Sequence, residues 1–242
     1  MQGLDLVIFD LDGTLVETAP EISDAVNDAL RHFDWPAVDE TLVANWIGHG
    51  TVALLAHAVA RATGSTTEAV QADGRIEAVR AVYDGCYAAR CGSRSRLYPG
   101  ARETLTALRE AEVKIALVTN KEGRYTRRVL EVHGLTEAFD RVIAGDTLAT
   151  KKPDPAGVLA CLETFAATPG RSLFIGDSAI DAATARNAGV PVWLLPHGYN
   201  MGEPVDNVDA DRILPDFATF LREGLEPARS SPGVPPASRV AR

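Results

Sequence analysis

The 242-residue sequence is poor in cysteine, in aromatic side chains and in positive charge. Its three cysteines, Cys86, Cys91 and Cys161, lack CxxC spacing, so we expect free thiols rather than a disulfide framework or a structural zinc site. The formal net charge is −9, which disfavours nucleic acids and membrane surfaces as partners because both carry phosphates. An aromatic content of 6% suggests no platform for stacking bases.

Long apolar runs are also absent. The first apolar stretch, residues 4–9, is interrupted by Asp5 and followed at once by Asp10, and no cationic leader precedes it. This pattern predicts a cytoplasmic protein with no signal peptide and no membrane span. The hydrophobic fraction of 46% is sufficient for a large core.

Apolar strand-like segments alternate with helical patterns in the second half of the chain. Near-continuous apolar strands separated by helices predict an α/β fold with a parallel sheet covered on both faces. The predicted strands are 113–119, 141–144, 172–175 and 190–195, and the predicted helices are 100–111, 122–133, 154–167 and 179–188.

The segment 17–95 reads instead as helices throughout, with a capping box formed by Thr18 and Glu21 at its start. Further helices are predicted over 39–46, 50–63 and 67–90. Linkers near 15–18 and 92–97 would let this insert hinge as a lid. The tail over 227–242 is rich in proline, serine and arginine, and we predict that it is disordered.

The first strand ends in two carboxylates, Asp10 and Asp12. Residues two apart in a strand point to the same side, and like charges held that close require a bound cation or a shared proton. Thr119 and Asp177 also follow predicted strands. Because functional residues of parallel sheets gather at the carboxyl ends of the strands, we expect these four side chains to form one site.

This set of residues suggests phosphoryl transfer. Asp10 supplies a carboxylate nucleophile that could form an aspartyl-phosphate. Asp12 can donate a proton to the leaving oxygen and later accept one from the hydrolytic water. Asp177 and Asp10 together make a hard oxygen site suited to Mg²⁺.

Three further residues can serve the phosphoryl group. Thr119 offers a hydroxyl, Asn120 an amide and a backbone N–H, and Lys152 a fixed positive charge that keeps Asp10 ionised. Asp181, one turn into the helix after Asp177, either supports the site or only favours the positive helix end.

The order of these motifs resembles the haloacid dehalogenase-like hydrolase superfamily. The resemblance implies a Rossmann-like core over residues 1–16 and 96–226, with an α-helical cap domain over 17–95. It also implies Mg²⁺-dependent chemistry, with the metal held by Asp10, the backbone carbonyl of Asp12, and Asp177. The matching segments are Asp10-Leu11-Asp12-Gly13-Thr14-Leu15, Thr119-Asn120-Lys121, Lys152-Pro153-Asp154-Pro155 and Gly176-Asp177-Ser178-Ala179-Ile180-Asp181.

Within the superfamily the chain is similar to the bacterial phosphoglycolate phosphatases, in residues 46–50 and 197–203. This resemblance implies that the substrate is a small anionic phosphorylated metabolite, 2-phosphoglycolate. We expect a monomer or a small homo-oligomer. The substrate carboxylate requires a cation or free N–H groups beyond the phosphate. His49, just before a predicted helix, and Lys121 are the two candidates.

Several relatives with the same fold compete with this interpretation. The segment 17–95 contains no lysine, which disfavours a phosphonoacetaldehyde hydrolase with a Schiff-base lysine in its cap. Asp12 and Asp177 disfavour a dehalogenase, which needs neither. A sugar phosphomutase, a phosphatase for pyrophosphate, nucleotides or another small phosphate, and a non-catalytic Mg²⁺- or phosphate-binding protein remain open.

Overall fold

A six-stranded parallel sheet forms the centre of the structure, a computed structural model that describes residues 3–223. The strand order is β5-β4-β1-β6-β7-β8, and β1 pairs with β4 on one side and β6 on the other. The strands are β1 (Leu6–Phe9), β4 (Lys114–Val118), β5 (Arg141–Ile143), β6 (Ser172–Gly176), β7 (Val192–Leu194) and β8 (Arg212–Ile213), while β2 (Val16–Glu17) and β3 (Arg96–Leu97) form a separate antiparallel pair.

Helices cover both faces of the sheet. Successive residues of β1 enter different apolar clusters, Val7 and Phe9 on one face and Leu6 and Ile8 on the other, as the alternation of strand side chains requires. The predicted α/β fold with a parallel sheet is therefore confirmed. Its helices are α6 (Ala101–Glu110), α7 (Gly123–Val132), α8 (Ala156–Phe165), α9 (Ala179–Asn187) and α10 (Phe217–Glu223).

Five helices, here called the helical segment, lie between β2 and β3. The predicted helix over 67–90 is wrong as one helix, because Gly74 adopts a left-handed conformation (φ 73°) and ends the first part. The division into domains stays a prediction, and the predicted disordered tail lies outside the described residues. The five helices are α1 (Ala19–His32), α2 (Glu40–Asn45), α3 (Thr51–Thr63), α4 (Thr67–Ala72) and α5 (Arg75–Arg90).

Two points of the sequence analysis need correction. The sixth strand, β8, was not predicted because two residues carry no readable alternation. The side chain of Thr18 does not cap α1, so the predicted capping box is wrong. The Thr18 hydroxyl donates a hydrogen bond to Asp12 instead.

In residues 3–223, no helix combines the length and the apolar character that a membrane crossing needs.

Glu21 is fully buried and fastens the second connection of the helical segment to the first. Its Oε2 accepts hydrogen bonds from the backbone N–H groups of Gly92, Arg94 and Ser95, at 2.9, 3.2 and 3.0 Å. A carboxylate with three N–H donors is a strong, charge-assisted arrangement. Glu21 therefore holds together the two chain crossings between sheet and helices.

We predict that Glu21→Ala lowers the free energy of unfolding by about 2–4 kcal/mol, because three linker N–H groups lose a charged acceptor. Urea unfolding followed by circular dichroism would measure this change. Glu77→Ala, at an exposed position of α5, is the matched control and should stay within about 0.5 kcal/mol of the parent. Equal effects of the two substitutions would contradict the anchoring role.

Candidate active site

The candidate site lies where three adjacent strands end. Asp10 follows β1, Thr119 follows β4 and Asp177 follows β6, and these strands are neighbours in the sheet. All three side chains are buried, as are Lys152 and Asn120. The structure thus gathers the predicted residues at one edge of the sheet, at the carboxyl ends of the strands.

Lys152 is the buried cation of the site. Its Nζ lies 2.8 Å from Oδ1 of Asp10, at angles outside those of a hydrogen bond, and 2.7 Å from Oδ1 of Asp181. Burial opposes the charge of Lys152, but the two carboxylates more than offset this and raise its pKa. The lysine is therefore a permanent positive charge beneath Asp10.

Asp10 is ionised with difficulty in the absence of a metal. Burial raises the pKa of its carboxyl to about 6, against the lowering effect of Lys152. The neighbouring charges of Asp181 and Asp12 raise this pKa further. A cation placed beside Asp10 would favour the anionic form that a nucleophile needs.

Asp181 has two structural tasks. One oxygen accepts from Lys152, and the other accepts from the backbone N–H groups of Asp177 and Ser178 and from the Ser178 hydroxyl, at 3.1, 3.2 and 2.7 Å. With Ser178 it forms the capping box of α9. Both oxygens of Asp181 are thus already engaged by protein donors.

Asp177 is held by two residues whose roles the sequence did not suggest. Thr14 donates its hydroxyl to Oδ1 at 2.5 Å, and the backbone N–H of Tyr199 donates to Oδ2 at 2.6 Å. Burial, together with the nearby charges of Asp181 and Asp10, raises the pKa of Asp177. A Cβ at Gly13 or Gly198 would overlap the carboxylate of Asp177, so these glycines leave space around it.

These residues fit a divalent cation. Carboxylate oxygens of Asp10, Asp177 and Asp181 lie within 4.8 Å of one another. With Asp12, the site holds two more carboxylates than it has ammonium groups from Lys152 and Lys121. Hard carboxylate oxygens with this excess of negative charge suit Mg²⁺. Since Asp181 is engaged elsewhere, Asp10 and Asp177 are the better side-chain ligands.

Asp12 lies beside Asp10 but contacts different partners. Its Oδ1 accepts from the Thr18 hydroxyl at 2.8 Å, and both its oxygens lie near Lys121 Nζ, at 3.1 and 3.2 Å. The Tyr199 hydroxyl accepts from the N–H groups of Thr18 and Ala19 at 3.0 and 2.9 Å and takes the place of a side-chain cap for α1. Asp12 is therefore tied to the first connection of the helical segment.

Asn120 connects the site to the helical segment. Its Nδ2 donates to the carbonyl oxygens of Gly48 and Lys152, at 2.9 and 3.1 Å. The side-chain amide is thus used for structure, which leaves the backbone N–H for a phosphoryl oxygen. His49, next to Gly48, has an exposed side chain that does not line the cavity described below, and its role stays a prediction.

A cavity lies between the sheet edge and the helical segment. Asp10, Asp12, Thr119, Asn120 and Lys121 line its lower side. The upper side is mostly apolar and comes from the helical segment. Its apolar and aromatic lining residues are Ile22, Trp46, Ile47, Leu54, Tyr83 and Tyr87.

The loop after β4 makes four polar contacts with the helical segment, one of them an ion pair between Glu122 and Arg80 at 3.6 Å. Beside the bond of Asn120, Lys121 Nζ donates to the Tyr87 hydroxyl at 2.6 Å, and Glu122 Oε2 accepts from the Thr51 hydroxyl at 2.9 Å. These contacts join the sheet edge to α3 and α5. In this arrangement the cavity has walls from both parts of the chain.

Comparison with known proteins establishes the family. The family model for haloacid dehalogenase-like hydrolases matches residues 7–195. The chain belongs to this hydrolase family. The match includes the strand end with Asp10 and Asp12 and the one with Asp177, so the predicted resemblance is confirmed.

Relatives of this hydrolase are known in several bacteria. It is 37% identical to a phosphoglycolate phosphatase of Vibrio cholerae over 221 residues, which are 91% of this chain and 97% of the relative. A phosphoglycolate phosphatase of Pseudomonas putida is 36% identical over 92% of this chain and 80% of its own. The crystal structure of a predicted phosphoglycolate phosphatase from Haemophilus somnus matches with a TM-score of 0.84 and 34% identity, covering 92% of this chain and 98% of that one.

We predict that Asp10→Asn stabilises the metal-free hydrolase. Removing a buried charge whose pKa is raised from 3.8 to about 6 should increase the free energy of unfolding at pH 7.5 by up to about 3 kcal/mol. The gain should shrink as the pH falls from 7 toward 4, because protonation then removes the same charge from Asp10 itself. Urea unfolding in EDTA, compared at pH 7.5 and at pH 4, measures this change.

Mg²⁺ should reverse the ranking of the two proteins, because a ligand that binds only the folded state stabilises it, and the variant lacks one carboxylate ligand. Asp206→Asn, at an exposed position, should behave as the parent throughout. A loss of stability in Asp10→Asn that is the same at both pH values in EDTA would show that burial of this charge costs little.

Proposed function

We propose that this hydrolase is a Mg²⁺-dependent phosphatase that converts 2-phosphoglycolate to glycolate and inorganic phosphate through an aspartyl-phosphate on Asp10. The observation that carries the proposal is the position of Asp10. It lines the cavity beside Asp12, is paired with buried Lys152, and lies within 4.8 Å, oxygen to oxygen, of Asp177. In this proposal, residues 17–95 act as a cap over the site.

The choice of substrate is supported by the relatives and by the cavity. Two relatives with more than a third of their residues identical to this chain are phosphoglycolate phosphatases. The walls of the cavity, from Ile22, Trp46 and Leu54 among others, approach the reacting groups and favour a small leaving group. A phosphate ester of a two-carbon acid suits such a space.

In the first step, an Oδ of Asp10 attacks phosphorus in line with the ester oxygen. The new bond joins the Asp10 carboxylate to phosphorus, and the bond between phosphorus and the glycolate oxygen breaks. Asp12 donates its proton to that oxygen, so glycolate leaves as an alcohol. Lys152 keeps Asp10 anionic before the attack and offsets the phosphoryl charge.

In the second step, water attacks the phosphorus of the acyl phosphate. Asp12, now ionised, accepts the proton of this water, and the bond between phosphorus and Asp10 breaks. Asp10 returns as a carboxylate, and inorganic phosphate is the product. In both steps of the proposed mechanism, the Thr119 hydroxyl and the backbone N–H of Asn120 donate to the phosphoryl oxygens.

Asp10, Asp177 and the backbone carbonyl of Asp12 would hold Mg²⁺. When bound, the ion would neutralise the charge that develops on the phosphoryl oxygens and hold the phosphate in line with Asp10. Thr14 and the backbone N–H of Tyr199 fix the orientation of the Asp177 carboxylate.

We predict that a panel of small phosphate esters assayed with Mg²⁺ shows the highest kcat/KM for 2-phosphoglycolate. A preference of about 100-fold, about 2.7 kcal/mol in transition-state binding, would support the substrate assignment. Phosphate release that EDTA abolishes and Mg²⁺ restores would support the cofactor. Interconversion of sugar phosphate isomers with little net phosphate release would indicate a mutase, and no turnover of any ester would indicate a binding protein.

We predict that Asp12→Asn lowers kcat by roughly 10²–10⁴, since the leaving group loses its proton donor. The Mg²⁺-dependent shift of the thermal midpoint should remain, because the backbone carbonyl of Asp12 is retained. Asp146→Asn, a carboxylate outside the cavity lining, controls for the loss of a charge near the site. Turnover of Asp12→Asn close to that of the parent would remove Asp12 from the acid–base role.

A further inference from the structure

Lys121 is a buried cation that the phosphoryl-transfer steps do not use. Its side chain is 4% exposed, and the residue lines the cavity. Among the cavity-lining residues within the described part of the chain, it is the one cation. Burying an ammonium group costs free energy, so the groups that contact Lys121 Nζ indicate what this residue does.

The ammonium group of Lys121 is positioned by a residue of the helical segment. The Tyr87 hydroxyl, on α5, accepts from Nζ at 2.6 Å, and Nζ lies 4.8 Å from the centre of the Tyr87 ring. The same hydroxyl faces Oε1 of Glu21 at 3.4 Å. Burial raises the pKa of Tyr87, so its hydroxyl keeps the proton that it directs toward Glu21. Lys121 is therefore fixed between Asp12 and Tyr87.

We propose that Lys121, positioned by Tyr87, binds the carboxylate of the leaving group and makes the enzyme selective for phosphate esters of short hydroxy acids. The inference rests on the proposed function and adds to it the group that recognises the acid. In this arrangement, the carboxylate completes the coordination of Nζ on the side that faces the cavity.

Among the lining residues in the described part of the chain, Lys121 is the cation that can meet the substrate carboxylate; a second ammonium group, that of Lys151, lies outside the lining near Gly50. The ionisable lining residues besides Lys121 and the tyrosines are Asp10, Asp12 and Glu122, which would repel the substrate carboxylate. Glu122 accepts a hydrogen bond from Thr51 and forms an ion pair with Arg80 at 3.6 Å, both on the helical segment, so its charge is directed toward the helices. An apolar ceiling cannot solvate an anion, so a carboxylate there depends on Lys121.

The start of α3 adds a weaker attraction of the same sign. Gly50 and Thr51 line the cavity at the first turn of this 13-residue helix, and no side chain caps it. The N-terminus of a helix favours negative charge. A carboxylate beside Lys121 would thus be attracted by the lysine on the side of the sheet and by the N-terminus of α3 on the side of the helical segment.

The test compares two substrates of the same length in the Mg²⁺-loaded enzyme. 2-Phosphoglycolate carries the carboxylate, and ethyl phosphate has a methyl group in its place. We expect Lys121→Met to lower the ratio of their kcat/KM values by about 10- to 100-fold, the scale of a lost hydrogen bond between charged groups. Any effect of the substitution on Asp12 is common to both substrates and cancels in the ratio.

A binding measurement tests the same inference in a variant whose turnover is too slow to measure. The inhibition or dissociation constants of 3-phosphonopropionate and propylphosphonate, which cannot be hydrolysed, give the same ratio without chemistry. Tyr87→Phe, which removes the hydroxyl and keeps the ring, should lower the ratio in the same direction by about 3- to 10-fold. Tyr125→Phe loses a hydroxyl bonded to Asp84, outside the cavity lining, and should leave the ratio unchanged.

The outcomes separate this inference from the proposed function. If the parent prefers 2-phosphoglycolate and Lys121→Met keeps the whole preference in both measurements, the carboxylate binds elsewhere and the inference fails while the function stands. If the parent hydrolyses phosphate esters without preferring the acid, the substrate assignment itself is wrong. Circular dichroism and the thermal midpoint establish that each variant is folded.

Discussion

The ion pairs of Lys152 are the interaction on which the site depends. Three aspartates, Asp10, Asp177 and Asp181, are buried at neighbouring strand ends, where their mutual repulsion and loss of hydration oppose ionisation. One lysine, itself buried, lies against two of them. The charge of Lys152 offsets part of the repulsion among the carboxylates but does not balance all of their charge. The folded protein therefore retains an excess of negative charge that favours a divalent cation.

The helical segment is connected to this charged centre through its chain crossings. On the first crossing, Thr18 contacts Asp12, and the Tyr199 hydroxyl binds the N–H of Thr18 while the Tyr199 N–H binds Asp177. On the second crossing, Glu21 binds three backbone N–H groups. A movement of the helices about these crossings would therefore act on the proposed acid–base residue, Asp12, and on one proposed metal ligand, Asp177.

Much of the fold and part of the site could be predicted from local sequence patterns. The carboxylates follow apolar runs that are readable as strands, and their grouping at one sheet edge follows from parallel pairing. Contacts between residues far apart in sequence leave no such pattern. Thr18 and Glu21 have the spacing of a capping box, yet Asp12 and the linker N–H groups compete for them and win. The contacts of Thr14, Tyr87 and Tyr199 likewise join residues that are 34 to 181 positions apart.

The sheet and the helical segment contribute different groups to the cavity, and these groups have different roles in the proposed mechanism. The groups that would act on phosphorus follow strands of the sheet or, like Lys152, lie against residues that do, so the sheet fixes their positions. The walls that would meet the leaving group, including Ile47, Leu54 and Tyr87, come from the helical segment. Lys121 is the point at which the two meet, because it belongs to the sheet edge but takes its orientation from Tyr87. In the proposed mechanism, recognition of the acid is therefore complete only while the helices lie over the sheet, which ties substrate choice to that arrangement.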